Sequence, residues 1–454
     1  MQTGRPVLFH RATNEPHERC YEETMIPHRT GDAAPTERGV AETEIRKRIV
    51  ERGRIPFSEF MELALYHPVG GYYSTRRPVG AQGDYYTSPA AHPAFGALLA
   101  VQMERCWELL WRPSPFYVVE MGSGDGLLAQ AFLAYAENLN SDFCDALEYV
   151  ALDRRRSAVV RAQQPWSQQR VTSDGIPLVG VHGCFISNEL VDAFPVHRFR
   201  IVDDHVREIF VTEDDDGRLI EEAGDPSTLT ISERLASLDC RLPEGYTGEV
   251  NLGITNWARD VSAALDRGFV VTIDYGYPAQ ELYAPSRSQG TLQTYFQHTE
   301  SGGPFNRIGR QDITAHVDFT ALERDGEMAG LISLGIRSQS EYLRELGAGR
   351  MIDALRQMPM SAHDRDANMM ALRELVNPTG LGGFRVLVQH IGVDGVGYSE
   401  LMPSQNRLES LTPPLLDSAH TPLFEGRYPQ HEFELESLWP FGDPDDDEAP
   451  PDER

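Results

Sequence analysis

Two short stretches hold the residues whose types and spacing could do chemistry. In the first, Glu120-Met121-Gly122-Ser123-Gly124-Asp125-Gly126, an acid precedes three alternating glycines. Glycine lacks a Cβ, so such a turn bends tightly and lets its backbone approach a ligand closely. A dinucleotide fingerprint spaces its glycines G-x-G-x-x-G. In this chain the third glycine comes one residue early, and the acid ahead of the turn suits a cationic ligand better than a pyrophosphate. The second stretch is Asn188-Glu189-Leu190-Val191-Asp192. If a short helix starts there, Glu189 and Asp192 are i, i+3 neighbours on one face. Together they could hold an ammonium or guanidinium group, or they could be solvated acids that only complement the helix dipole.

The elements around these residues read as an open α/β sheet. Phe116 to Val119 is a β-rich apolar run, and Leu127, Leu128, Ala131 and Phe132 give the helical spacing after the glycines. Strand, glycine turn and helix in that order build a nucleotide site at the carboxyl edge of a sheet. A second strand, Glu148 to Asp153, ends in an acid where a nucleoside ribose is held, although Arg154 to Arg156 make a surface ion pair the competing role. Gly183 to Ser187 is a third strand that runs into the Asn188 stretch. Gly268 to Gly276 is a fourth, closing on Asp274 and Tyr275, and the helix Asn256 to Leu265 leads into it. Leu331 to Leu334 and Phe384 to Gln389 read as the last strands, with helices between Ser340 and Leu375.

Upstream, Ser58 is the expected N-cap of a helix burying Phe60, Met61, Ala64 and Leu65, and Tyr72-Tyr73 a short strand or turn. The loop Gly83-Asp84-Tyr85-Tyr86-Thr87-Ser88-Pro89 could cover a ligand, or be an ordinary turn. Glu213-Asp214-Asp215-Asp216-Gly217 reads as a solvated hairpin tip.

At 454 residues the chain has room for one large α/β domain with additions or for two domains. A net charge of −28 argues against nucleic acid as the main partner, since phosphate binding needs a basic surface. The five cysteines are scattered without C-x-x-C spacing, which fits a reducing compartment and no structural metal. No apolar run is long enough for a transmembrane helix. The N-terminal residues fit neither a signal nor a transit peptide, so the cytoplasm is the expected location. Residues 1–39 read as a disordered tail, 40–112 as a helical or lid region, 113–400 as the main domain and 401–454 as an acidic, proline-rich tail.

Seven stretches occur in one order: Gly70 to Tyr73, Gly83 to Pro89, Val118 to Gly126, Ser187 to Phe199, Val270 to Gly276, Gly290 to Tyr295, and Asp312 to Leu322. The chain in this respect resembles the MidA-type S-adenosylmethionine (SAM) methyltransferases, whose mitochondrial member is a complex I assembly factor. The resemblance implies a class I methyltransferase sheet, Rossmann-like, with large helical and loop insertions and an N-terminal helical extension. It implies SAM as cofactor and a protein substrate, an arginine ω-nitrogen on a respiratory complex I subunit. On that basis Glu120 holds the SAM amino group and Asp153 its ribose, with Gly122, Gly124, Gly126 and Asn188 beside them. Glu189 orients the acceptor and receives its proton, supported by Asp192 or Asp84. Gly83, Tyr85, Thr87, Asp274 and Tyr275 line the substrate side, and Asp318 is a weaker candidate whose expected role is helix capping. Tyr85 stands where the family has phenylalanine, and Gln293 where it often has arginine. Two other classes stay open: an NAD-dependent oxidoreductase on a similar sheet, and a non-catalytic assembly scaffold.

Overall fold

The computed structural model describes residues 39–75, 87–155, 168–238, 240–296, 299–300, 302–417 and 419–420. The candidates Gly83, Asp84 and Tyr85 lie outside these residues, as do 1–38 and 421–454.

A seven-stranded sheet forms the centre. In chain order its strands are β1 (Phe116–Met121), β2 (Leu147–Asp153), β3 (Gln168–Thr172), β4 (Val181–Asn188), β5 (Leu265–Asp274), β6 (Ile332–Ser338) and β7 (Arg385–Ile391). Their order across the sheet is β3-β2-β1-β4-β5-β7-β6. The five strands from β3 to β5 run parallel, and β7 is antiparallel to both its neighbours. This is the class I methyltransferase order, closed by the antiparallel hairpin expected of it.

β1 is buried along its whole length because helices cover both faces, which is why it reads as a continuous apolar run. Phe116 and Val118 pack on the side of the helices Ala94–Leu109 and Leu127–Ala136. Tyr117, Val119 and Met121 pack on the side of Gly253–Ala264 and Phe319–Met328. The reversal after β1 places the glycine turn at the sheet's carboxyl edge, next to the end of β4.

The insertions include a second sheet, in which Thr247–Val250, His197–Val202, His205–Glu213 and Ile55–Pro56 pair in that order and Leu219–Gly224 adds to His205–Glu213. The helix Phe57–Tyr66 packs between this sheet and the central edge, burying Phe60, Met61, Ala64 and Leu65 as expected. Its N-cap is Pro56, not Ser58, whose hydroxyl lies 3.4 Å from His197 Nδ1. Tyr72–Thr75, expected as a short strand or turn, is a single helical turn with Tyr72 fully buried beside Tyr73. Order also runs past the expected boundary at 401: Leu411 is buried in the main core, and Arg407 pairs with the buried Glu104. No helix among the described residues is long and apolar enough to cross a membrane.

One close approach sets the spacing of the central strands. Gly183 on β4 faces Tyr117 on β1 and Gly268 on β5. A Cβ on Gly183 would stand 1.9 Å from the Tyr117 carbonyl oxygen, and one on Gly268 1.8 Å from the Gly183 carbonyl oxygen. We predict that Gly183→Ala lowers stability by about 1 to 3 kcal/mol, because the new Cβ meets the Tyr117 backbone, which must give way. Denaturant unfolding followed by circular dichroism would register the loss, and a variant as stable as the parent would contradict this packing.

Candidate active site

The glycine turn is built on left-handed backbone: φ is +72° at Gly122, +52° at Gly124 and +84° at Gly126. The N–H groups of Gly122 and Ser123 donate to the Leu152 carbonyl at 2.9 and 3.1 Å, so the turn leans on the end of β2. Asp153 completes that link. Its Oδ2 accepts from Gly124 N at 2.8 Å and its Oδ1 from Arg155 N at 2.7 Å. The ion pair weighed for Asp153 forms with Arg155, whose Nε lies 3.6 Å from the Asp153 Oδ1, while Arg154 pairs with Glu62 and Asp174. Beneath the turn, Glu120 is only 4% exposed and accepts a hydrogen bond from Tyr149 Oη at 2.8 Å. Burial pushes its carboxyl up to about 8, against the Tyr149 bond that favours the anion.

The Asn188 stretch follows β4 as an irregular turn, not the short helix considered from sequence. Glu189 takes φ +50°, a left-handed conformation that costs a non-glycine residue about 1 to 2 kcal/mol. Asp274, at the end of β5, holds the turn in place. Its Oδ2 accepts from the successive N–H groups of Leu190, Val191 and Asp192 at 3.2, 2.9 and 3.3 Å, and its Oδ1 from Tyr275 N at 2.9 Å. The side chain is fully buried. Asp274, expected on the substrate side, is therefore the cap of the turn, with its oxygens committed to backbone.

The turn aims two carboxylates into one region. Glu189 Oε1 accepts from Asn188 Nδ2 at 2.9 Å and from Ser88 N at 3.3 Å. Burial, then the nearby Asp192, push Glu189 up to about 8. Asp192 is 6% exposed, and burial pushes it up to about 6. Its Oδ2 accepts from Tyr275 Oη at 2.7 Å, while its Oδ1 and the Asn188 Oδ1 are buried with no partner among the described residues. Tyr275 thus reaches the site through Asp192. Thr87 is buried just before the turn Ser88–Ala91 and makes no side-chain cap there, so it is the next residue, Ser88, that touches Glu189. Asp318 does cap a helix, its Oδ1 accepting from Ala321 N at 2.9 Å. Gln293 Oε1 accepts from Tyr295 Oη at 2.6 Å.

Three participants escaped the sequence. Tyr66 donates from Oη to the Ala193 carbonyl at 2.8 Å and stacks on Tyr73 at 5.4 Å, closing the acidic turn from the N-terminal side. Ser88 Oγ donates to Gln339 Oε1 at 3.2 Å, tying the loop to the far end of the sheet. His316 lies edge-on to Tyr275 at 5.3 Å, and burial pushes its imidazole down to about 4. Each sat within a recognised stretch or beside one, but only tertiary contact singles it out.

The arrangement fits SAM. The left-handed glycines leave bare backbone where a Cβ on Gly122 would stand 2.8 Å from Leu190 Cδ1 and one on Gly126 2.6 Å from Arg170 Nη2. Desolvated carboxyls and orphan acceptor oxygens gather at the same edge, and such groups want a cation.

A sheet of this order with a glycine turn at its carboxyl edge is the class I methyltransferase arrangement. The family model described as "Putative S-adenosyl-L-methionine-dependent methyltransferase" matches residues 98–337, more than half of the chain. The chain belongs to this family, and S-adenosyl-L-methionine is its cofactor. Among curated proteins it is 27% identical over 384 residues to the Drosophila melanogaster "Protein arginine methyltransferase NDUFAF7 homolog, mitochondrial", covering 77% of this chain and 84% of that one. The Homo sapiens protein arginine methyltransferase NDUFAF7, mitochondrial, is 24% identical over 386 residues, with 77% and 84% covered. A crystal structure from Burkholderia thailandensis bound to S-adenosyl-homocysteine superposes with a TM-score of 0.69 at 29% identity, covering 80% of this chain and 95% of that one.

Glu120 yields a signed prediction. Its folded value of about 8 stands above the ordinary 4.5, so between these the native protein holds a proton the unfolded chain has lost. Its contribution to stability is present below the lower value and is lost as pH rises through the upper one. Glu120→Gln should therefore melt higher than the parent at pH 8.5, with the gain shrinking toward pH 5. A gain that does not vary with pH would contradict a desolvated Glu120.

Proposed function

We propose that this protein transfers methyl groups from SAM to an arginine ω-nitrogen of a polypeptide, and that the polypeptide is a subunit or assembly intermediate of respiratory complex I. The observation that carries the proposal is the acidic turn: Glu189 and Asp192, both desolvated, with Asp192 Oδ1 buried and unpartnered among the described residues, beside the glycine turn. A buried acceptor of that kind calls for an N–H-rich cation, and a guanidinium presents five donors in a planar fork. The names of the NDUFAF7 relatives support the choice of arginine, and the family resemblance of the sequence motifs supports that of complex I. The free thiols of Cys106 and Cys184, both buried, fit a reducing compartment, and we place the activity in the cytoplasm.

Bound SAM supplies an activated methyl group on a cationic sulfonium. Gly122, Gly124 and Gly126 would let the backbone approach it, Glu120 would face its ammonium and Asp153 its ribose, with Asn188 Oδ1 as a further acceptor. Glu189 and Asp192 act on the acceptor. A guanidinium nitrogen is a poor nucleophile while its charge is delocalised. Carboxylates on two of its edges draw that charge away from the attacking nitrogen and fix the guanidinium for in-line attack. Glu189 then receives the departing proton at a carboxylate oxygen, a role its raised value suits near neutral pH. Tyr275 holds Asp192 in line, and Asp274 holds the turn.

Glu189→Gln should lower kcat by about 100-fold or more while S-adenosyl-homocysteine binding by calorimetry is unchanged. In the parent, kcat/KM should rise with pH toward about 8, where Glu189 loses its proton. Unimpaired methyl transfer in Glu189→Gln, or a rate that falls over that range, would remove Glu189 as the proton acceptor.

A further inference from the structure

The segment that leads into the strand Asp312–Thr314, whose next residue touches the acidic turn, carries a second binding feature of opposite sign. Phe296, Asn306, Arg307 and Arg310 line a cavity of about 430 Å³. No acid is among the described residues that line it, although the chain carries a net charge of −28. Elsewhere Arg198, Arg234 and Arg407 close on carboxylates. Neither Arg307 nor Arg310 has such a partner among the described residues. The Arg307 guanidinium lies over the Phe296 ring, 4.4 Å from its centre. Stacking on a ring face holds a guanidinium flat and leaves its N–H edge free to donate. Two guanidiniums offer only donors, and the Asn306 amide adds two more, so the pocket is built for an anionic oxygen group.

Its place in the chain says which anion. Arg310 lies five residues before Ala315, whose N–H donates to the Asp192 carbonyl at 3.0 Å. Between them Asp312 accepts from Tyr73 Oη at 3.0 Å. Five residues of chain reach at most about 17 Å. An extended peptide advances about 3.3 Å per residue. A polypeptide with one side chain in the acidic turn can therefore set another, about five positions away or nearer, into the cationic pocket.

We propose that the pocket takes an aspartate or glutamate side chain of the polypeptide substrate, within about five residues of the target arginine. This rests on the assignment of arginine as the methyl acceptor. The substrate is then read at two points of opposite charge, which fixes its direction across the site as well as its target residue.

The test uses the full chain saturated with S-adenosyl-homocysteine and fluorescein-labelled Gly/Ala peptides with a central arginine. Aspartate or asparagine is placed at each flanking position in turn, and binding is read by fluorescence anisotropy. At one or more positions aspartate should bind roughly tenfold tighter than asparagine, the scale of a charge-assisted bidentate contact. The double variant Arg307→Gln, Arg310→Gln should lose that preference while its melting temperature and S-adenosyl-homocysteine affinity match the parent. No preference for aspartate at any position, or one that survives the double variant, would overturn the proposal. A further peptide set with glutamine in place of the central arginine separates the two claims. Aspartate dependence that persists there, with the arginine contributing nothing, would support the pocket and contradict the arginine assignment.

Discussion

Asp274 is the interaction on which the site depends. One carboxylate at the end of β5 gathers three successive backbone N–H groups of the turn after β4, plus the N–H of Tyr275. Without that carboxylate, the N–H groups of Leu190, Val191 and Asp192 would lose these bonds, and Glu189 would have no reason to stay in a left-handed conformation. That conformation turns the chain so that Glu189 and Asp192 reach one region while the backbone continues toward the second sheet. The strain at Glu189 is local, and the bonds that offset it come from a neighbouring strand. The geometry of the turn is therefore a property of the sheet, since β4 and β5 must be adjacent and in register for it to form.

The cluster concentrates acids where a folded protein would ordinarily avoid them. Burial raises the affinity of Glu189, Asp192 and Asp274 for protons; Asp192 adds to the rise at Glu189, and Asp192 and Glu189 add to the rise at Asp274. Glu120 is raised by burial on the other side of the edge. Such groups are stabilised either by holding protons or by receiving cations. SAM and a guanidinium are both cationic, so ligand and acceptor answer the same electrostatic demand. The aromatic groups around the turn, Tyr66, Tyr73 and Tyr275, exclude water and keep that demand strong.

How far this was legible in the sequence follows from which interactions are local. β1, β2, β4 and β5 are covered on both faces and read as apolar runs, so the sheet and its glycine turn could be placed in advance. β3, with the sequence Gln-Gln-Arg-Val-Thr, is a polar edge strand and gave no such signal. The acids Glu189 and Asp192 were visible, but a helical i, i+3 relation was a natural guess, because nothing local says that Asp274, more than eighty residues on, takes the turn's N–H groups. Asp274 itself looked like a strand-end acid awaiting a substrate, and only its hydrogen bonds reveal a cap. Conversely, the capping role of Asp318 needs only the next three residues and was legible outright. The motif around Thr87 was also recognised, yet its contact with Glu189 runs through the Ser88 backbone, which side-chain chemistry cannot disclose.

The central claim is that the acidic turn receives a guanidinium at the point where SAM presents its methyl group. The most direct measurement compares two adenosyl ligands by calorimetry, one carrying a guanidine tethered where the methyl would be and one carrying the isosteric urea. The account predicts that the guanidine binds tighter, by about 100-fold, since the charge-assisted bonds to Glu189 and Asp192 are lost with the urea. Equal affinity for the two would contradict it.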